Sequence, residues 1–241
     1  MLHWRKASYL VFSTVLEIIM QEAIKMFDKL SLTISGNNKQ PIPNTYFRQQ
    51  SAASHLCVVL PGYSPPLINP LLQCTSQLFL DRNADVLQVE YEYYKIDFFK
   101  KPAAERNRML SVDVTAVSET VFAQREYEHI TLVGKSLGTL AMGHLLPGNR
   151  FRKASCVWLT PLLTNEWLRS QIEQYKPRSL FVIGTADDFY NAGYLAELCE
   201  STKGKSLVIE GANHGLVIPG EVVQSLKAMT RIVSTIGKFV A

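Results

Sequence analysis

A serine flanked by glycines lies between an apolar segment and a helix-like segment in the middle of the chain. The apolar run Ile130–Val133 is followed by Gly134, Ser136 and Gly138. Where a buried strand turns sharply into a helix, the residue at the apex is strained, and small residues two positions before and after it let the two backbones approach. The strain exposes the hydroxyl at the apex. The pattern therefore predicts that Ser136 is a nucleophile at the end of a strand.

The residues that a nucleophilic serine requires follow two later apolar runs. A hydroxyl is a weak nucleophile at neutral pH, so it needs an imidazole to take its proton and a carboxylate to orient that imidazole. His214 follows the last apolar run, and Asp187 and Asp188 follow the run before it. We predict that Ser136 is the nucleophile, His214 the base and Asp187 the acid. The spacing from Gly184 favours Asp187 over Asp188, which we expect to cap the next helix.

Attack by a serine also creates an oxyanion, which two backbone N–H groups must stabilise. The N–H of Leu137, at the expected start of the helix, is the first candidate. The second is the N–H of Tyr63 or of Ser64, because the segment Leu60-Pro-Gly-Tyr-Ser64 follows another apolar run and Gly62 permits a tight loop there. The sequence thus predicts an oxyanion site between this loop and the helix.

Other residues at the same rim of the sheet are candidates for the substrate pocket. We expect Lys135 either to polarise an anionic substrate or to pair with a surface carboxylate. An aromatic cluster between residues 91 and 99 could form a pocket wall or pack under a long loop. The predicted pocket residues are Gly62, Ser64, Lys135, Thr160 and Leu162.

The order of apolar segments predicts an α/β fold. Lys29–Ser35 alternates apolar and polar residues, Gly36-Asn-Asn38 is a turn signal and Ile42–Arg48 resumes the alternation, which predicts an antiparallel hairpin. Six short apolar runs follow, as expected for parallel strands covered on both faces. Helical periodicities separate them, so right-handed crossovers and a doubly wound sheet are expected. The six runs are Leu56–Leu60, Val86–Val89, Ile130–Val133, Cys156–Leu159, Leu180–Ile183 and Leu207–Ile209.

Two sets of apolar residues at helical spacing illustrate these periodicities. The first comprises Leu110, Val114, Val117 and Val121, and the second comprises Val222, Leu226, Met229, Val233 and Ile236. Each set predicts a helix that packs one face against the sheet. Between strands, the segment Thr160–Arg178 has room for one helix but not for a large inserted lid. We therefore predict a single domain over residues 27–241.

The first 26 residues form an extension with a different pattern. Met1–Lys6 is basic and Ala7–Leu16 is apolar, which resembles a short signal peptide, but Glu17 interrupts the pattern and no small-residue cleavage site follows. The apolar stretch is too short to span a bilayer. We favour a helix peripheral to the fold. A membrane-surface contact through residues 1–26 is an alternative that the pattern does not favour.

Composition excludes several classes of protein. The net charge is +4, from 25 basic and 21 acidic residues, and no run of Lys and Arg is longer than Lys100-Lys101, so nucleic acid is not an expected partner. The cysteines form no C-x-x-C pair, so neither a zinc site nor a disulfide framework is expected. Reduced thiols favour a cytoplasmic location. The four cysteines are Cys57, Cys74, Cys156 and Cys199.

From about Phe27 to the end, the chain resembles the α/β-hydrolase family. The resemblance rests on the glycine-flanked Ser136, on the order serine, acid, base, on Gly-x-x-Asp at Asp187 and on Asn-His-Gly around His214. It implies an eight-stranded, mostly parallel sheet with helices on both faces and an antiparallel hairpin at its N-terminal edge. It also implies hydrolysis of ester, thioester, amide or lactone bonds without an organic cofactor. The chain lacks the His-Gly-Gly-Gly loop of lipases, so the resemblance assigns no subfamily.

These observations together predict a small serine hydrolase for ester-type substrates (carboxylester, thioester or lactone), without a large lid, metal or cofactor. Ser136 would form an acyl-enzyme that water releases. Two alternatives remain at this point. One is an α/β-hydrolase scaffold that binds a ligand without catalysis, because fold does not imply function. The other is an acyltransferase that uses the same three residues.

Overall fold

The computed structural model describes residues 27–63 and 69–241. Their eight strands form one sheet in the order β1-β2-β4-β3-β5-β6-β7-β8. The six strands from β3 onward are parallel, and β1 and β2 form an antiparallel edge. The strands are β1 (Phe27–Leu30), β2 (Asn44–Gln49), β3 (His55–Leu60), β4 (Asp85–Val89), β5 (His129–Lys135), β6 (Ser155–Leu159), β7 (Arg178–Gly184) and β8 (Lys205–Ile209). This is the sheet that the sequence predicts.

In the described ranges, six α-helices between or after these strands cover both faces of the sheet. Short 3₁₀ turns lie at Asn37–Lys39, Tyr93–Lys95, Phe98–Lys100 and Asn149–Phe151. The helices are α1 (Pro70–Leu80), α2 (Ala103–Phe122), α3 (Leu137–Leu145), α4 (Glu166–Tyr175), α5 (Ala192–Thr202) and α6 (Val222–Phe239). Within the described ranges, no helix has the length and apolar character needed to cross a membrane. The predicted N-terminal helix and its membrane contact concern residues 1–26, which lie outside those ranges.

Each parallel strand contributes alternate side chains to two hydrophobic cores. Residues such as Leu132 and Trp158 lie in the core under α2, α3, α4 and α5, whereas their neighbours Val133 and Val157 lie in the core under α1 and α6. Because successive side chains of a strand point to opposite faces, a strand buried on both faces must be apolar at every position. This explains why the sequence shows continuous apolar runs rather than alternation.

The edge hairpin is shorter than the sequence predicts. Strand β1 ends at Leu30, although the alternating pattern continues to Ser35. The Asn44 side chain donates to the Leu32 carbonyl at 2.8 Å and accepts from the Leu32 N–H at 2.9 Å. A side chain thus replaces the partner strand at this point. The prediction of a strand as far as Ser35 was wrong because one asparagine satisfies the backbone groups that the ladder would have paired.

The apolar face predicted for helix α6 is only partly confirmed. The predicted Ile236 is buried, and Met229 and Val233 pack partly buried against the same core. The predicted Val222 and Leu226, in the first turns, are 73% and 54% exposed. In α2, all four predicted apolar residues are buried.

The packing of α3 against β3 depends on a glycine. A Cβ atom on Gly138 would lie 2.0 Å from the carbonyl oxygen of Leu60, which is backbone and cannot rotate away. The neighbouring backbone carbonyls therefore leave no room for a side chain at residue 138. The same contact places the start of α3 beside the loop that follows β3.

We expect Gly138→Ala to lower the free energy of unfolding by about 3 kcal/mol, because overpacking against backbone forces the helix away from the sheet. Gly193→Ala, in the first turn of α5, is the matched control. There the added Cβ meets only the Asn191 side chain, at 3.3 Å, and we expect a change within about 0.5 kcal/mol. Urea unfolding followed by circular dichroism measures both. Equal losses in the two variants would contradict the close approach.

Candidate active site

Three polar side chains meet at the carboxyl ends of the parallel strands. Ser136 follows β5, Asp187 follows β7 and His214 follows β8. The Ser136 hydroxyl lies 2.8 Å from His214 Nε2, and His214 Nδ1 lies 2.9 and 3.0 Å from the two carboxylate oxygens of Asp187. The carboxyl ends of parallel strands share one edge of the sheet, so residues that are far apart in sequence come together here.

Ser136 occupies a backbone conformation that is rare for residues other than glycine. Its φ is 52° and its ψ is −115°. The surroundings hold this conformation in place, since the Ser136 N–H donates to the Leu159 carbonyl at 2.9 Å. The Thr139 N–H and hydroxyl both donate to the Ser136 carbonyl, at 2.9 and 2.6 Å. Such local strain persists only where the structure around it determines the backbone from several sides.

Asp187 is well placed to orient the imidazole. A carboxylate only accepts hydrogen bonds, so the proton of His214 lies on Nδ1 and Nε2 is free to accept from Ser136. The Asp187 side chain is fully buried, and one of its oxygens also accepts from the Phe189 N–H at 3.0 Å. The neighbouring Asp188 is exposed. Of the two carboxylates that the sequence offered, Asp187 is the one that contacts the histidine.

Two backbone segments converge on the Ser136 side chain. In the described part of the chain, the N–H of Leu137 has no acceptor, as expected at the first position of a helix. The loop after β3 lies against the serine, because a Cβ on Gly62 would be 3.3 Å from Ser136 Cβ and 3.8 Å from its hydroxyl oxygen. Tyr63 follows directly. Ser64, the alternative donor and a predicted pocket residue, lies outside the described residues.

The side chains of Lys135 and Thr160 are buried in the protein. They are only 7% and 0% exposed. The Lys135 ammonium donates to the Thr160 hydroxyl at 3.2 Å and to the His214 carbonyl at 2.9 Å. The expected surface or substrate contact of Lys135 is not seen because the strand alternation places it on the same face as Val133. Leu162 is half-buried and packs against the core under α3.

The aromatic cluster after β4 is divided between core and surface. Tyr91, Tyr93 and Phe98 are buried and stacked, with ring centroids 5.1 and 4.3 Å apart. Phe99 is 57% exposed and contacts the Tyr63 ring at 4.9 Å. The buried stack is core packing. Phe99 contacts Tyr63 in the loop beside Ser136.

The surroundings of Lys135 penalise its charge. Burial lowers the pKa of the Lys135 ammonium from 10.5 to about 8, and the nearby Asp187 carboxylate opposes part of this decrease. Removing a cation from water is costly, and an opposite charge close by offsets some of the cost. The lysine is therefore a destabilising group at neutral pH that the fold retains.

This burial predicts a pH dependence of stability. Between pH 8 and pH 10.5 the unfolded chain keeps the Lys135 proton and the folded protein releases it, so the free energy of unfolding rises with pH. The cost of the buried charge, roughly 3 kcal/mol, is fully present below pH 8. We expect urea unfolding from about pH 7 to pH 11 to show this rise in the wild type. In Lys135→Met the corresponding rise should be absent, and identical pH profiles would disprove the assignment.

Comparison with known proteins identifies the fold. No protein-family profile and no curated protein matches the sequence. A cold-adapted esterase from an Arctic intertidal metagenomic library is 14% identical with a TM-score of 0.61, covering 88% of this chain and 93% of its own. Dienelactone hydrolase from Anabaena variabilis is 13% identical with a TM-score of 0.64, covering 89% and 97%.

A third solved structure, from Xanthomonas campestris, is described as a member of the α/β serine hydrolases without a lid. It is 12% identical with a TM-score of 0.62, and the match covers 88% of this chain and 94% of that one. The three resemble this chain in sheet and helix arrangement and only weakly in sequence. The chain has the α/β-hydrolase fold.

Proposed function

We propose that this protein is a serine hydrolase that cleaves ester-type bonds of small substrates through an acyl-enzyme. The observation that carries the proposal is the continuous hydrogen-bonded chain from Ser136 through His214 to Asp187, with distances of 2.8 and 2.9 Å. Nucleophile and base lie within reach for proton transfer, and a third group orients the base. A serine in a strained conformation on a glycine-flanked turn supports the same role.

In the proposed reaction, Ser136 attacks the substrate carbonyl while His214 Nε2 takes the hydroxyl proton. The buried Asp187 carboxylate stabilises the imidazolium that results. The oxyanion is bound by the N–H of Leu137 and the N–H of Tyr63. His214 then gives its proton to the leaving alcohol or thiol, and the acyl group stays on Ser136. A water molecule, deprotonated by the same imidazole, releases the acid.

Two observations support the proposed substrate class: the solved structures with a similar fold and the access to the site. The structurally similar proteins include proteins named as an esterase and as dienelactone hydrolase, which supports carboxylester, thioester or lactone substrates. The His214 side chain is 36% exposed. The connection between β6 and β7 contains only the ten-residue helix α4. A site open to solvent favours small substrates that need no lid to bind.

Labelling with a fluorophosphonate tests the nucleophile. We expect one covalent phosphonyl adduct on Ser136, found by mass spectrometry of the digested protein, together with hydrolysis of p-nitrophenyl acetate. Ser136→Ala should lose both, with kcat lower by about 10⁶-fold. Folded wild-type protein that is neither labelled nor active would refute the proposed function. Activity should also fall in acid, as protonated His214 can no longer accept the serine proton.

The two adjacent aspartates offer a matched pair of variants. Asp187→Asn should lower kcat by about 10⁴-fold, because an amide favours the wrong tautomer of His214. Asp188→Asn makes the same chemical change at the exposed neighbour and should leave kcat within about two-fold. Steady-state hydrolysis of p-nitrophenyl acetate measures both. If Asp188→Asn lost most of its activity and Asp187→Asn stayed active, the acid would be Asp188 and not Asp187.

A further inference from the structure

We propose that Lys135 is a positioning residue that ties the His214 loop to the ends of β5 and β6 and so keeps His214 Nε2 at the Ser136 hydroxyl. This inference rests on the proposed function. It concerns a buried amine that the proposed reaction does not use directly. The Lys135 ammonium contacts the main chain of His214, and Lys135 directly precedes Ser136 in the chain. It therefore connects the backbone of the base to the backbone of the nucleophile.

The contacts of Lys135 join three segments that are distant in sequence. The Lys135 ammonium donates to the His214 carbonyl at 2.9 Å and to the Thr160 hydroxyl at 3.2 Å. Thr160 directly follows β6, and its N–H donates to the Val182 carbonyl of β7 at 2.7 Å. Lys135 itself is the last residue of β5. One side chain therefore links the ends of two central strands to the loop that carries the base.

The other hydrogen bonds around His214 in the described residues lie within the loop itself. Its backbone bonds run from the Leu216 N–H to the Asn213 carbonyl at 2.8 Å and from the Asn213 N–H to the Val217 carbonyl at 2.9 Å. The Asn213 side chain also accepts from the N–H groups of Gly215 and Val217, at 2.9 and 3.3 Å. Before the histidine, the Ala186 N–H donates to the Ala212 carbonyl at 3.0 Å. These bonds shape the loop and fix its start. Among the described residues, the bond from Lys135 joins the His214 main chain to the end of the strand that precedes Ser136.

The charge of Lys135 has a second consequence. Asp187 is the charged group that attracts this ammonium, and burial opposes it. A hydrogen bond from an ionised donor is stronger than one from a neutral donor, so the ammonium holds the His214 carbonyl more firmly than a neutral amine would. A buried methionine of similar length would give neither the hydrogen bond nor the charge.

Lys135→Met tests both consequences in the full-length protein with p-nitrophenyl acetate as the probe. We expect kcat to fall by about 10- to 100-fold, because small displacements of a catalytic base are costly. KM should stay within about two-fold, since Lys135 does not face the substrate.

Val133→Ala is the matched control. Val133 lies on the same strand and the same face two residues earlier and is fully buried. It should lower the Tm without changing kcat by more than about two-fold. If Lys135 affected stability alone, Lys135→Met would likewise keep the wild-type kcat, and that result in the folded variant would overturn the proposal.

The wild-type protein gives a second measurement that needs no variant. The Lys135 proton leaves near pH 8, and a neutral amine makes a weaker hydrogen bond to the His214 carbonyl than an ammonium does. We expect kcat to decline above this pH, and a constant kcat from about pH 7 to pH 10 would count against the proposal. Failure of Ser136 to react with a fluorophosphonate would instead overturn the proposed function, so the two failures are distinguishable.

Discussion

The sharp turn from β5 into α3 is the constraint on which the rest of the site depends. It holds Ser136 at a φ of 52°, and it brings α3 so close to β3 that the Leu60 carbonyl leaves no room for a Cβ on Gly138. A Cβ on Gly134 would meet the Met142 sulfur at 2.3 Å. Two residues without side chains thus permit a helix to begin directly above a buried strand. Conformational strain at the serine is compensated by packing on both sides of it.

The parallel sheet then brings the other functional groups to the same edge. Asp187 and His214 follow β7 and β8, which lie on the same side of β5 in the sheet order. At the end of β7, a Cβ on Gly184 would be 1.9 Å from the Ala212 carbonyl. This contact places the loop after β8 against the end of β7. The carboxylate of Asp187 is buried by the same packing, which strengthens its interaction with the imidazole.

Buried polar groups lie at both ends of the parallel strands, the amino-terminal and the carboxyl-terminal. At the amino-terminal edge, the Asp85 carboxylate accepts from Tyr46, Tyr127 and Arg125 at 2.8, 2.7 and 3.2 Å. That network is well satisfied and ties β2 to β4. At the carboxyl edge, Lys135 contacts the main chain of His214 and Asp187 contacts its imidazole. The first network fits a structural role, whereas the second fits the proposed proton transfer.

The sequence by itself determined the fold class, the apolar strands and the order of serine, acid and base. These depend on local patterns, because a strand buried on both faces must be apolar throughout and a sharp turn requires glycine. The end of β1 and the exposure of Val222 and Leu226 in α6 were decided by tertiary contacts. Asn44 pairs the backbone of Leu32, and the orientation of a helix depends on what it packs against.

The environment of Lys135 was also decided by the tertiary structure. A lysine at the end of an apolar run is expected at the surface, because burying an ammonium normally costs too much free energy. Only the assembled sheet brings the His214 carbonyl and the Thr160 hydroxyl within 2.9 and 3.2 Å of it. The alternation that points Lys135 inward is present in the sequence, but its partners come from other strand ends. Local sequence encodes the direction of a side chain, whereas its partners depend on which segments the fold brings together.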